Sequence, residues 1–305
     1  MKKIDVIGKR KIWYIFSLII IIPGIVCMFT RGFNLGIDFT GGTIIDLKFA
    51  EPVTIASVRD VMKEYKLDNS TIQLSGIDSN TESSQDVMIR TVDLEESERK
   101  AVMASLKDKL GNYDVLREEK VGATMGSELM MRAFGATLLS WVMIILYISY
   151  RFEFKFGIAA VLALIHDILI VLSVFSMLQR QVDSSFVAAL MTIVGYSVND
   201  TIVIFDRIRE NLRLHFRRGG DIGALPNTRI YQTLTRSIYT VCTVLFTTFA
   251  LYFFGGDTTK DFSFALLIGF SCGAYSSICI ASPLWVMFRN YAEDKRNKQR
   301  AATVK

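Results

Sequence analysis

FVAALMTIVGYSVNDTIVIF, residues Phe186–Phe205, decides the class of this chain. A helix needs about 20 mainly apolar residues to cross a hydrocarbon core of roughly 30 Å, and this stretch is long enough. Yet it carries Asn199 and Asp200 inside the crossing. A carboxylate there costs roughly 2.5–3.5 kcal/mol on insertion scales, so the residue marks a functional site by default, with proton relays prominent among such sites.

Outward from this stretch, six apolar runs have spanning length: near 12–29, 134–151, 156–178, 185–207, 235–254 and 262–288. Residues 31–132 are mixed and charged, as in a soluble domain. The chain therefore divides into an N-terminus with the first span (1–30), an external domain (31–132), five more spans (133–290) and a basic tail (291–305). Hydrophobic residues make up 51% of the chain, an average over two unlike parts.

Lys and Arg set the orientation. Lys2, Lys3, Lys9, Arg10 and Lys11 precede the first span. Arg207, Arg209, Arg213, Arg217, Arg218 and Arg229 lie between spans four and five, and the tail is basic. The short loops of the opposite side hold only Arg180 and Lys260. Both termini and the Arg-rich loop are expected in the cytoplasm. The net charge of +5 follows from this topology, without a nucleic-acid partner.

The first run has a basic start like a signal peptide, but no small-residue exit before Thr30-Arg31, so a retained anchor is expected. Val26 is too large for the lipidation cleavage that GIVC (Gly24–Cys27) faintly suggests. Cys27, Cys242, Cys272 and Cys279 all lie within spans, with no metal-ligand spacing, and read as small packing residues.

In the external domain, glycines at 36, 41 and 42 mark turns. Strands are expected at 43–49, 70–75, 86–92 and 113–121. Helices are expected at 54–65, with Thr54 as N-cap, and at 93–110, closed by Gly111. The order β-α-β-β-α-β is the split unit of ferredoxin-like folds. With no cluster suited to catalysis, the domain reads as a binding or moving part, hinged at 31–36 and 122–126.

Inside the membrane, His166-Asp167 sit about 15 Å from the Phe156 end of span three. They read as a relay or as a polar contact between helices. Neighbours on a helix point about 100° apart, so only one can face a given target directly. Asp200 lies about 10 Å from the Arg207 end of span four. Arg236 opens span five from the same side. An arginine beside Asp200 holds it ionised; moving the two apart leaves a buried charge that a proton would neutralise. The alternatives are a static ion pair or a snorkelling arginine. Gly269, Gly273, Ser277 and Ala281 form a small-residue stripe for close helix contact on span six. Pro23 and Pro283 are expected to kink their helices.

Several of these residues carry a resemblance. GIDFTGG (Gly36–Gly42) resembles the signature that opens the external domain in the SecD/SecF protein-export family, with Gly36, Asp38, Gly41 and Gly42 as its turn residues. VGYSVNDTIVIFDRIREN (Val194–Asn211) closely resembles that family's fourth-span signature. TLTRS (Thr233–Ser237) resembles its fifth-span opening, and His166-Asp167 also fits. The hairpin between these two signatures carries GGDIGALP (Gly219–Pro226), longer than the family's usual.

The resemblance implies a polytopic α-helical bundle with an extracytoplasmic α+β domain, forming half of a pseudo-symmetric unit of resistance-nodulation-division type in the bacterial cytoplasmic membrane. It implies pairing with SecD beside the SecYEG channel, with YidC and YajC as neighbours. After SecA has pushed a preprotein through using ATP, the pair pulls the unfolded preprotein outward. The proton gradient supplies the energy, with no cofactor and no enzymatic step. Asp200 and Arg236 match the positions linked to proton movement, with Asn199 beside them.

Three rival readings remain. One is a half-transporter of the same superfamily exporting a small molecule or lipid. A second is an intramembrane serine protease using Ser197 with His166. A third is a structural subunit that only stabilises the translocon.

Overall fold

The computed structural model describes residues 6–75, 83–151, 154–216 and 225–303. It separates into a helical unit, Met1–Asn34 with Thr137–Lys305, and a mixed unit, Leu35–Ala136.

In the mixed unit, β1 (Gly42–Thr54), β2 (Thr71–Ser75), β3 (Ser83–Thr91) and β4 (Tyr113–Val121) form an antiparallel sheet in the order β2-β3-β1-β4. Helices α1 (Ile55–Glu64) and α2 (Glu96–Leu110) pack on one another. Register pairs Ile45 with Ile89 and Leu47 with Val87. These four bury with Phe49, Val58, Met62, Val102 and Leu106 in one core. Thr54 caps α1, its hydroxyl accepting from the Ser57 amide at 3.2 Å. The expected elements are all present; β1 runs five residues past the expected end, to Thr54 rather than Phe49, and α2 starts at Glu96 behind the cap residue Glu95. Gly42 has φ +135, and a β-carbon there would meet the Thr91 carbonyl, so the turn needs glycine. Gly126 is packed against the Gly41 amide and the Phe39 carbonyl. Of the hinge expected at 122–126, only Gly122 separates β4 from the helix Ala123–Arg151.

Among the described residues, six helices are long and apolar enough to cross a membrane: Arg10–Thr30, Thr124–Arg151, Phe154–Leu178, Ser184–Glu210, Ser237–Phe254 and Thr259–Tyr291. Several helices overrun their apolar runs, because helix-forming polar residues continue the hydrogen-bond ladder beyond the apolar length. The fourth helix reaches Phe216 and the fifth starts at Leu225. Spans three, four and six are the most buried; the most apolar window of span two has no buried residue. The first span packs on the third, and the fourth and fifth on the sixth. At one end of the bundle, Phe156 stacks on Trp285 with ring centroids 4.6 Å apart and touches Phe205. Arg180 pairs with Asp261 at 3.1 Å and lies over the Phe264 ring.

The small-residue stripe of span six faces span four of this same chain. A β-carbon at Gly269 would collide with Ile193, and one at Gly273 would lie 3.3 Å from the Ser197 β-carbon. Ser277 meets Thr201, hydroxyl to hydroxyl, at 2.8 Å. The kink expected at Pro283 takes the form of a π-turn, Ser277–Ala281, just before it. A proline ring clashes with the carbonyl four residues back, here Cys279, and the wider turn relieves that crowding. Ser282 donates its hydroxyl to the Ser277 carbonyl at 3.0 Å.

Gly269→Val should lower the melting temperature of the detergent-purified chain, at an overpacking cost of about 1–3 kcal/mol. Gly135→Val, where a β-carbon meets nothing within 4 Å, should leave it nearly unchanged. Equal shifts for both would show that the stripe is not in close contact.

Candidate functional site

The bundle interior gathers its polar groups around Asp167, which is 1% exposed. Oδ2 accepts from Ser197 of span four at 2.6 Å and from Ser276 of span six at 2.8 Å. Oδ1 accepts from the Cys272 thiol at 3.2 Å and lies 3.0 Å from His166 Nδ1. On its other side His166 Nε2 meets Ser17 Oγ of span one at 2.7 Å. Ser17 also lies 3.3 Å from the Tyr275 hydroxyl, which donates to the Trp13 carbonyl at 2.7 Å. His166 reaches span one through Ser17 and Asp167 reaches span four through Ser197, but both also meet Cys272 of span six, so the expectation that only one of the pair can face a given target does not hold there. With Asp167 ionised, its oxygens only accept, so in that state Nδ1–H donates to Asp167 and Nε2 accepts from Ser17.

The carboxylate is held by spans three, four and six, and through His166 by span one. Sequence reasoning singled out His166 and Asp167 but missed Ser17, Cys272 and Ser276. The available signal was that these polar or polarisable residues interrupt apolar runs. The reading of Ser197 with His166 as a nucleophile and its base does not match the geometry: Ser197 donates to Asp167, and His166 is engaged by Asp167 and Ser17. A serine nucleophile needs a base in hydrogen-bond reach.

Asp200 forms a second station on span four. It is 8% exposed, and Ser237 of span five donates to its Oδ1 at 2.7 Å. Ser197, Asp200 and Thr201 are three and four residues apart, so they share a face. Arg236 adjoins Ser237 on the helix Leu225–Phe254, but its side chain lies outside the described residues. Asn199 is exposed on the surface of this chain. The turn residue Asp38 lies in the single helical turn Ile37–Thr40, between Gly36 and Gly41, in the mixed unit.

Among the described residues, His166, Asp167 and Cys272 offer ligand atoms within 4.8 Å of one another. The expectation that no cysteine has metal-ligand spacing holds along the sequence but not in space.

A family profile described as "Protein export membrane protein SecD/SecF, C-terminal" matches residues 101–291, and one described as "SecD/SecF GG Motif" matches 28–53. "Protein translocase subunit SecF" of Acidaminococcus fermentans is 52% identical over 289 residues, covering 95% of this chain and 98% of the relative. The protein of the same name in Sebaldella termitidis is 39% identical, covering 95% and 93%. The crystal structure of SecDF, a translocon-associated membrane protein from Thermus thermophilus, matches 94% of this chain at TM-score 0.84 and 33% identity. SecDF in its super-membrane-facing form matches 98% at TM-score 0.71 and 34% identity. The chain spans 39% and 40% of the lengths of those two.

Ser197→Ala and Ser276→Ala each remove one donor from a buried carboxylate oxygen. Each should cost about 0.6–1.7 kcal/mol in unfolding of the purified chain, and the double variant more than the sum of the two, because Oδ2 then keeps neither hydroxyl. Thr192→Ala, whose hydroxyl bonds within its own helix on an exposed face, should change little. Serine variants as stable as the Thr192 control would show that Asp167 does not hold these spans together.

Proposed function

The chain belongs to the SecD/SecF protein-export family, and from that premise we propose that it is an accessory subunit of a Sec-type translocase, paired with SecD. In this reading it is an integral protein of the bacterial cytoplasmic membrane with both termini inside, as the Lys and Arg distribution supports. Residues 31–132 form an extracytoplasmic ferredoxin-like domain, a reading supported by the antiparallel order β2-β3-β1-β4 and the two helices on that sheet. The spans at 1–30 and 133–290 supply half of a resistance-nodulation-division bundle, SecD supplies the other half, and 291–305 is a cytoplasmic tail.

The proposed work is mechanical and not enzymatic. After SecA-driven translocation through SecYEG, with YidC and YajC nearby, the paired subunits draw the unfolded preprotein outward, using the proton gradient and no bound cofactor. Asp200 is the proposed proton carrier, with Arg236 as its alternating counter-charge and Asn199 turned toward the neighbouring half or lipid. His166 and Asp167 act in this scheme as the polar contact that joins the helices.

The observation that carries this reading is the burial of Asp200 where span four meets span five. A buried charge can be neutralised by a proton or by an opposite charge, and a device that alternates between them couples protonation to helix position.

Asp200→Asn should still co-purify with SecD, yet fail to stimulate proton-driven export into membrane vesicles, leaving export at the level of vesicles that lack the chain. Wild-type stimulation by this variant would remove the proton role of Asp200 and leave a scaffold.

A further inference from the structure

The cluster formed by His166, Asp167 and Cys272 has a second use that its hydrogen bonds do not exhaust. His166 Nδ1, Asp167 Oδ1 and Cys272 Sγ are separated by 3.0, 3.2 and 3.9 Å. Donors about 2.0–2.3 Å from a tetrahedral zinc-like ion are spaced close to this, so the three atoms outline one face of such a site. We propose that they form a binding site for a soft or borderline divalent cation of the zinc and cadmium class, and that the bound ion clamps span three to span six.

Charge favours this occupant. One divalent ion with a thiolate, a carboxylate and a neutral imidazole sums to zero, as a buried site in hydrocarbon demands. The thiolate selects against magnesium, calcium and sodium, which prefer oxygen.

The surrounding groups also suit it. A metal-bound histidine generally donates its other ring N–H to an acceptor that fixes its orientation. Here Nε2 lies 2.7 Å from Ser17 Oγ. Without metal Ser17 donates to Nε2; with metal the ring proton moves to Nε2 and Ser17 accepts it. The Ser17 hydroxyl then turns to the Trp13 carbonyl, already 3.2 Å away. Ser197 and Ser276 stay on Asp167 Oδ2, the oxygen the ion does not use. Proton balance is simple: the ion forms a metal–sulfur bond, and the proton leaving Cys272 is released. The ion is a lock on the bundle, not a cofactor of its work.

The test is cadmium titration of the full chain in detergent, following the thiolate-to-cadmium charge-transfer band and the bound metal. The expected result is one ion per chain, unchanged when Cys27, Cys242 and Cys279 are replaced together by serine. The band should be lost in Cys272→Ala, and Ser17→Ala should weaken binding roughly 10–100-fold. In the chain that keeps only Cys272, cadmium should also protect that thiol from alkylation, which does not depend on how Cys272→Ala folds. A band that persists in Cys272→Ala, that disappears in the triple serine variant, or alkylation unaffected by cadmium would overturn the site.

Discussion

The structure depends on one carboxylate, Asp167, buried to 1% exposure among the helices. In hydrocarbon each polar group must find its partner within the protein. Asp167 finds partners on three spans: His166 of its own helix, Ser197 of the fourth, and Cys272 and Ser276 of the sixth. Hydroxyls and thiols reach only a short way, so these helices must approach closely. The glycines make that approach possible. Gly273 lies against Ser197, and a β-carbon at Gly24 of span one would run into Ser173 of span three. The polar centre and the small-residue contacts are therefore two sides of one constraint.

The sixth span shows how a local defect serves this centre. Ser276 ends the regular helix and Ser277 opens the π-turn. Adjacent residues on a helix point about 100° apart, so the two hydroxyls serve different neighbours. Ser276 reaches Asp167 of span three, and Ser277 reaches Thr201 of span four. Pro283 supplies the reason for a wider turn at this place. π-turns are uncommon and concentrate at functional sites, and this one lies between the Asp167 centre, held by Ser276, and Thr201 beside Asp200 on span four.

The spans and the β-α-β-β-α-β order were legible because they rest on local pattern. Composition reports burial in lipid, and alternation reports a strand. Helix ends were less legible: the helix at Ala123–Arg151 begins eleven residues before the apolar run expected at 134, because a helix needs neither apolar residues nor a membrane to continue. His166, Asp167 and Asp200 stood out because charge in an apolar run is costly. Ser17 and Ser276 did not, since a serine in a span commonly bonds its own helix, as Ser271 does to the Leu267 carbonyl. What distinguishes Ser17 is an interhelical partner 149 residues away in the chain. No local pattern carries that information, and the same holds for Cys272, which lies 105 residues from Asp167.

Magnitudes separate the roles of the two buried aspartates. One elementary charge crossing 100 mV releases roughly 2.3 kcal/mol. A hydrogen bond between membrane helices is worth roughly 0.6 kcal/mol on average, and about 1.7 at most. A single proton can therefore offset about one such bond of the strongest kind, or three to four of average strength. Asp200 meets Ser237 on span five, whose most apolar window is 17% buried against 61% for span three. Asp167 is bound by four donors from three spans in the middle of the bundle, and releasing it means separating those spans together. In the proposed reading, the proton gradient works the joint at Asp200 while the Asp167 centre stays closed. In that reading the fifth span has a fixed frame to move against, without which proton movement would only loosen the bundle.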